Sequence, residues 1–156
     1  MYNLQANGLS QAILRSHNPK LHLLSFEPLM IKKSELKALE IGDSIVLGKK
    51  LPQLYIYRKD GIVGQAQLGR AMGREIVVIS AKERIDNLGK AEPKYTLLET
   101  RIATLPKSDF EVGKLVELPV ESLSSILLFS RQKLVAMASL IQAGGNYALQ
   151  IQKRYI

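Results

Sequence analysis

The side chains that could carry out catalysis are few in this chain and do not form a recognisable catalytic set. The two histidines, His17 and His22, lie within or beside a poorly patterned N-terminal stretch. Cysteine is absent, which removes thiolate nucleophiles, disulfides and cysteine-based zinc sites. Catalysis needs a nucleophile, an acid/base pair or a metal, held close together. We therefore expect no catalytic residue, no metal site and no cofactor, and we do not expect an enzyme.

The carboxylates and the glycines also favour structural roles. Asp43 and Asp60 are typical turn residues, and Glu75 has the pattern of a surface charge. The run 64–71 imitates the glycine spacing of a phosphate-binding loop, but it lacks the lysine and the following serine or threonine that contact phosphate and magnesium. It also falls on a predicted strand and turn, so a nucleotide site is not expected.

The net charge is +8, from 22 Lys and Arg residues against 14 Asp and Glu residues. Such a charge can attract nucleic acid or an acidic partner. The basic residues occur in scattered pairs, which favours a solvated basic surface over a nucleic-acid site. No run approaches the roughly 18 apolar residues of a membrane span, and the first residues do not resemble a signal peptide. We therefore expect a cytoplasmic protein without a membrane span.

The composition changes along the chain divide it into four segments. Residues 1–20 form an N-terminal extension or remnant, and residues 21–80 form a first domain. A charged stretch with Gly and Pro, residues 81–94, reads as a linker. Residues 95–156 form a second domain, and short strands separated by turns predict that both domains are mainly β with short helices.

The predicted elements of the first domain recur in the same order in the second. An apolar strand interrupted by Pro28 precedes a short helix that Ser34 can cap, and short strands follow. Asp60-Gly61 is the strongest local signal, because an Asp-Gly turn supplies the positive φ values of a tight hairpin. The second domain has a predicted strand over Tyr95–Leu105, a short helix near Asp109–Leu115 and three further strands.

An internal duplication accounts for this recurrence. Sliding residues 60–80 onto 132–152, an offset of 72, gives six identities in 21 positions, where unrelated sequences give roughly one or two. Upstream, Leu36 and Leu39 fall against Val112 and Leu115 at an offset of 76. Each half of about 70 residues would be marginal alone, so the two halves should pack together. The identical pairs are Val63/Val135, Ala66/Ala138, Leu68/Leu140, Ala71/Ala143, Gly73/Gly145 and Ile79/Ile151.

The run Ser34–Leu47 resembles the Leu-x-x-Leu-x-x-Gly-Asp-x-Ile-x-Leu signature of the SPOA (surface presentation of antigens) family. This family includes the flagellar switch proteins FliM and FliN and the SctQ-type ring component of type III secretion. Gly42 and Asp43 form the signature turn, and the hairpin, turn and final apolar strand over 57–79 also fit the family pattern. In the second copy Leu118-Pro119 falls at the place of the signature turn at the offset of 76. The tandem copies make the chain more similar to SctQ than to FliM or FliN.

The resemblance implies a fold, a function and a set of partners. The expected fold is mainly β, with two tandem small SPOA-type β-barrel-like domains that pack as a pseudo-symmetric pair, since SPOA units are known as intertwined dimers. The expected function is that of a structural component of the cytoplasmic ring, or sorting platform, at the base of a membrane-embedded type III secretion or flagellar export apparatus. The expected partners are further copies through SPOA–SPOA pairing, other ring components, and the stalk-linker protein of the export ATPase (FliH/SctL-like).

Seven apolar residues on the predicted strands are candidates for the pairing or partner interface. Their simplest role is in the core, and the functional alternative is a seam between SPOA units or a surface that receives a partner segment. They are Ile62, Leu68, Ile76, Val78, Leu134, Leu140 and Ile151.

A small basic β-barrel that binds nucleic acid is the alternative function. It would use Tyr55, Tyr57 or Tyr147 as stacking platforms, together with several lysines on the same face. Strand alternation places Tyr55 and Tyr57 on one side of their strand.

Overall fold

The computed structural model describes residues 22–58, 61–84 and 93–156, and the described part of the chain consists largely of twelve short strands. The first repeat contains β1 (His22–Phe26), β2 (Leu29–Lys32), helix α1 (Lys33–Ala38), β3 (Ser44–Gly48), β4 (Leu54–Arg58), β5 (Gly61–Ala71) and β6 (Arg74–Ala81). The second contains β7 (Tyr95–Arg101), β8 (Ala103–Leu105), a 3-10 turn (Lys107–Asp109), β9 (Leu115–Glu117), a second 3-10 turn (Ser122–Ser124), β10 (Ile126–Ser130), β11 (Lys133–Ala143) and β12 (Asn146–Arg154).

The strands form two six-stranded antiparallel sheets, so the predicted mainly β fold of two small barrel-like units in a pseudo-symmetric pair is confirmed. Sheet A has the order β8-β1-β4-β5-β6-β9, and sheet B has the order β2-β7-β10-β11-β12-β3. Each sheet therefore takes four strands from one repeat and its two outermost strands from the other. The two repeats are intertwined, and neither sheet is confined to one of them.

The register of the exchanged strands is the same in both directions. His22 on β1 lies opposite Leu105 on β8, and Leu29 on β2 lies opposite Leu98 on β7. Residues 22 and 98, and residues 29 and 105, are separated by the same offset of 76. One pairing is thus converted into the other by interchanging the repeats, which is the pairing expected of a twofold-symmetric dimer joined into one chain.

The hairpins repeat their irregularities as well as their strands. The register shift between Ile56 and Tyr57 recurs between Leu128 and Phe129, at the offset of 72. The turn between β5 and β6 has positive φ at Met72 and Gly73, and the turn between β11 and β12 has it at Gly144 and Gly145. Duplicated bulges and turns show that the backbone, and not only the apolar pattern, is repeated.

A single large hydrophobic cluster joins the two sheets. It contains Leu24 and Ile56 from the first repeat and Leu128 and Leu149 from the second, all without exposed surface. The expectation that two marginal halves share a core is therefore confirmed, since the apolar area needed for stability is buried between the repeats.

Several expected details of the local structure are wrong. The strand expected over Tyr95–Leu105 is two strands that belong to different sheets. The helix expected near Asp109–Leu115 is a single 3-10 turn, and Leu115 begins strand β9. Ser34 does not cap α1, because the N-cap position is Lys32 and its side chain makes no capping hydrogen bond. The apolar spacing predicted a continuous strand and a helix in these segments, but pairing with strands of the other repeat determines their structure.

Candidate pairing interface

The predicted signature turn lies where the first repeat crosses to the last strand of the second. The backbone N–H of Gly42 donates to the carbonyl of Ile151 at 2.9 Å, and the N–H of Ile151 donates to the carbonyl of Asp43 at 2.8 Å. The φ of Gly42 is +95°, a region that side chains disfavour. The carboxylate of Asp43 accepts a hydrogen bond from the N–H of Glu40 at 2.9 Å, which closes the turn. These residues therefore fix the crossover of β3 onto sheet B.

The same turn recurs in the second repeat at Gly113-Lys114. The N–H of Gly113 donates to the carbonyl of Ile79 at 2.7 Å, and the N–H of Ile79 donates to the carbonyl of Lys114 at 3.1 Å. The φ of Gly113 is +85°. We call the two pairs, Gly42-Asp43 and Gly113-Lys114, the crossover turns.

The sequence alignment placed the second turn at the wrong residues. Leu118-Pro119 was expected at this place from an offset of 76, whereas the hydrogen bonds give an offset of 71, from Gly42 to Gly113. The expected matches of Leu36 with Val112 and of Leu39 with Leu115 are wrong for the same reason, because the bond from the N–H of Leu39 to Leu36 recurs from Phe110 to Lys107. In the turn at Gly113, Lys114 stands at the position that Asp43 occupies in the first turn. The Nζ atom of Lys114 lies 3.8 Å from an oxygen of Asp109. Gly113 was the available signal, because a glycine before a strand can mark a backbone with positive φ.

Strands β1 and β7 contact each other through buried polar groups. Thr100 has no exposed surface, and its Oγ1 accepts a hydrogen bond from the N–H of Phe26 at 2.8 Å. The hydroxyl of Ser25 donates to the carbonyl of Thr100. The N–H of Ile102 donates to the carbonyl of Leu24 at 2.8 Å. Because buried polar groups are costly without partners, these bonds favour one alignment of the two repeats.

Arg101 lies between equivalent aromatic residues of the two repeats. Its guanidinium carbon is 5.9 Å from the ring centre of Tyr57 and 5.3 Å from that of Phe129, and these residues differ by the hairpin offset of 72. Its Nη2 atom lies 3.3 Å from an oxygen of Glu99. Burial raises the pKa of the Tyr57 phenol, and the negative charge of Glu99 raises it further. Arg101 thus joins two small apolar clusters, one per repeat, around Tyr57 and Phe129.

His22 is buried beside the second repeat. Its ring centre lies 4.7 Å from that of Phe110, and its Nδ1 atom has no hydrogen-bond partner among the described residues. Burial lowers the pKa of His22, and the positive charges of Arg58, Lys107 and Lys82 lower it further. Both effects favour the neutral form of this imidazole in the folded protein.

The seven residues predicted for the pairing or partner interface occupy three places. Ile62 and Ile151 are buried, and the other five are half-buried. Ile151 lies in the shared core, against which Leu68 and Leu140 pack. Ile62 lies in the cluster around Tyr57, and Leu134 packs on the cluster around Phe129.

Ile76 and Val78 lie on the outer face of sheet A. They alternate along β6 with the core residues Val77 and Ile79, so their side chains point away from the core. Val78 is directly opposite Leu115 on β9, which is 58% exposed. We call Ile76, Val78 and Leu115 the outer apolar patch.

Only part of the predicted hairpin turn, Asp60-Gly61, lies within the described residues. Asp60 lies outside the described residues, and Gly61 begins β5, where it pairs with Arg58. Of the tyrosines considered as stacking platforms, Tyr57 is buried, and Tyr55 and Tyr147 are half-buried. Tyr55 packs on the same cluster as Tyr57, which agrees with their expected common side.

No known protein-family model matches the chain, and no curated protein sequence is significantly similar to it. Within residues 22–58, 61–84 and 93–156, no three metal-ligating side chains converge. In the same ranges, no helix has the length and apolar character required to cross a membrane.

Replacing Gly113 with alanine should destabilise the protein. An L-residue in the left-handed region costs about 1–2 kcal/mol, and Gly113 must adopt it for the crossover. Gly61→Ala is the matched control, because Gly61 lies in a strand and has no atom within 4 Å of an added Cβ. Urea unfolding should show the loss for Gly113→Ala and a smaller change for Gly61→Ala. Equal losses would contradict the assigned role of the turn.

Replacing Thr100 with valine should also destabilise the protein at nearly constant volume. The change leaves the buried N–H of Phe26 without its acceptor, at a cost of about 1–3 kcal/mol. Thr104→Val is the control, because Thr104 is half-buried on β8 and its hydroxyl has no hydrogen-bond partner among the described residues. The free energies of urea unfolding distinguish the two variants, and an unchanged value for Thr100→Val would contradict the buried contact.

Stability should fall on mild acidification because of His22. The pKa of His22 is lowered in the folded protein, so the unfolded chain takes up the proton first as the pH falls below about 6.5. The unfolding free energy therefore decreases from about pH 7 toward pH 5. Leu98 is the equivalent of His22 in the second repeat. The substitution His22→Leu should therefore be tolerated, and it should reduce the dependence of the unfolding free energy on pH. Urea midpoints at several pH values test it, and an identical slope in the variant would contradict the assignment.

Proposed function

We propose that this chain is a non-enzymatic assembly module of the cytoplasmic ring, or sorting platform, of a type III secretion or flagellar export apparatus. Two SPOA-type units would pair within one chain and bind further ring components and the stalk-linker protein of the export ATPase. The proposal rests on the resemblance of Ser34–Leu47 to the SPOA signature. The geometry of the interface between the repeats supports it.

The single observation that supports it best is the reciprocal exchange of strands. Each repeat gives two strands to the sheet of the other, and the glycine of the signature turn stands at the crossover. An intertwined dimer is what SPOA resemblance implies, and here the two copies are joined in one chain. The second turn, at Gly113, strengthens the resemblance, because the signature glycine is then present in both copies.

The polar groups buried at the interface also support a structural role. The hydroxyls of Ser25 and Thr100 bond to the backbone of the other repeat. The guanidinium of Arg101 contacts two aromatic rings and Glu99. These groups are used in holding the repeats together, and such pairing fixes orientation and register.

The stalk-linker protein is proposed to bind the outer apolar patch. Ile76 and Val78 were predicted as interface residues, and Leu115 extends the patch onto a strand of the other repeat. Apolar residues on the outer face of a sheet favour a partner that buries them. The equivalent position in sheet B is polar, since Val78 corresponds to Gln150, which lies opposite Ser44. The two sheets therefore differ in what their outer faces can bind.

The test is size-exclusion chromatography with light scattering, for the chain alone and mixed with the cognate stalk-linker protein. A complex that persists from about 0.15 M to about 1 M salt is expected, because an apolar contact is not screened as charges are. Absence of the complex, together with salt-sensitive binding to an oligonucleotide, would contradict the proposal and favour a nucleic-acid binder.

A matched pair of variants locates the contact. Val78→Lys should weaken stalk-linker binding about tenfold or more, since a charge must then be desolvated at the patch. Gln150→Lys introduces the same side chain at the equivalent polar position and should leave binding unchanged. Titration calorimetry measures both affinities, with circular dichroism as the check on folding. Equal effects of the two substitutions would exclude the outer apolar patch as the binding surface.

A further inference from the structure

The two outermost exchanged strands, β3 and β9, leave one backbone edge each without a neighbouring strand in the described molecule. β3 is the last strand of sheet B, where it pairs only with β12, and β9 is the last strand of sheet A, where it pairs only with β6. An edge strand carries unpaired N–H and C=O groups that can pair with a strand of another chain. The described part of each molecule therefore has four terminal strands, two on each sheet, and β3 and β9 are equivalent members of the two repeats.

The β3 edge lacks the features that normally prevent edge pairing. Its sequence, Ser44–Gly48, contains no charged residue and no proline, and Val46 is 66% exposed. Charges and prolines are the usual protection of edges. Strands β2 and β8 have it, because β2 follows Pro28 and ends at Lys32, and β8 is followed by Pro106. Strand β9 contains Glu117, whose charge is paired with Arg74 of the same sheet, and Pro119 lies beyond its end. The β3 edge is thus available for pairing in a way that β2 and β8 are not.

The equivalent β9 edge offers a surface that is complementary to β3. Leu115 is 58% exposed and Val120, just beyond the strand, is 94% exposed. The charges that follow the two strands are opposite: exposed Lys49 and Lys50 follow β3, whereas Glu117 lies in β9 and exposed Glu121 follows it. Glu117 also pairs with Arg74, so Glu121 is the carboxylate best placed to receive a lysine of another molecule. When the two strands run parallel, the residues that follow them lie side by side, so these opposite charges favour β3 against β9 over either edge against itself. An antiparallel alignment would instead place Lys49-Lys50 beside exposed Lys114, which precedes β9.

We propose that copies of this chain associate head to tail, with the β3 edge of one copy parallel to and against the β9 edge of the next. The contact would combine backbone pairing, burial of Val46 and Leu115, and attraction between Lys49-Lys50 and Glu121. Because the two edges of one molecule differ, a dimer formed in this way keeps one free edge of each kind, and association continues. The inference names the contact through which the proposed assembly module joins further copies, and to that extent it rests on the proposed function.

The test uses two variants that each block one edge of the full-length chain. Val46→Lys blocks the β3 edge and Leu115→Lys blocks the β9 edge, while Met72→Lys places the same charge at a fully exposed turn as the control. Light scattering over a range of concentrations should show species larger than dimers for the unmodified chain and for Met72→Lys. Each edge variant alone should stay monomeric, with association weakened at least about tenfold.

Mixing the variants decides the polarity of the contact. In an equimolar mixture of Val46→Lys and Leu115→Lys, one intact edge of each kind remains, so a dimer that does not grow further is expected. Dimers of Leu115→Lys alone would indicate β3 against β3, and would overturn the inference. A mixture that stays monomeric would overturn it too.

Charge reversal provides an independent second measurement. The double variant Lys49→Glu/Lys50→Glu and the variant Glu121→Lys should each associate more weakly than the unmodified chain, and mixing them should restore association, because opposite charges again face each other. No recovery on mixing would contradict the assigned charge pairing.

An unmodified chain that binds the stalk-linker protein but remains monomeric would overturn only this inference. A chain that associates head to tail without binding that protein would overturn only the proposed function.

Discussion

Each repeat of this protein lacks the strands that would complete its own sheet, and the reciprocal donation of two strands is the constraint on which the structure depends. Without β8 and β9, β1 and β6 would be the edges of sheet A, and without β2 and β3, β7 and β12 would be the edges of sheet B. The shared cluster would also be opened to water. Small units of this size bury too little apolar surface to be stable alone, and intertwining supplies the missing part.

The exchange requires a backbone that turns sharply at two equivalent places and a contact that holds the repeats in one register. Gly42 and Gly113 provide the turns, each hydrogen-bonded to the last strand of the other repeat. Ser25 and Thr100 provide the contact, because their hydroxyls have partners only when β1 and β7 are correctly aligned. Apolar burial supplies stability without direction, whereas these bonds are directional.

Much of this could be predicted from the sequence, but the crossover in the second repeat was placed at the wrong residues. The offset of 72 predicted the equivalence of β5 with β11 and β6 with β12, because residues on consecutive paired strands keep a fixed spacing. Upstream of the hairpin the spacing changes to 71 at the glycine turn and 76 at β1 and β7, since loops accept insertions. The helical pattern near Leu115 was misleading because pairing with β6 outweighs local propensity. The outer apolar patch combines residues from both repeats, and only the fold brings Leu115 next to Val78.

Native-state hydrogen exchange in increasing urea tests the central claim, that the two repeats form one intertwined folding unit. The most protected amides of β5 and β11 belong to different sheets and different repeats. If each sheet needs strands of the other repeat, their exchange should converge on one unfolding curve with the same midpoint and the same urea dependence. Two separate curves, with one repeat opening while the other stays protected, would contradict the account.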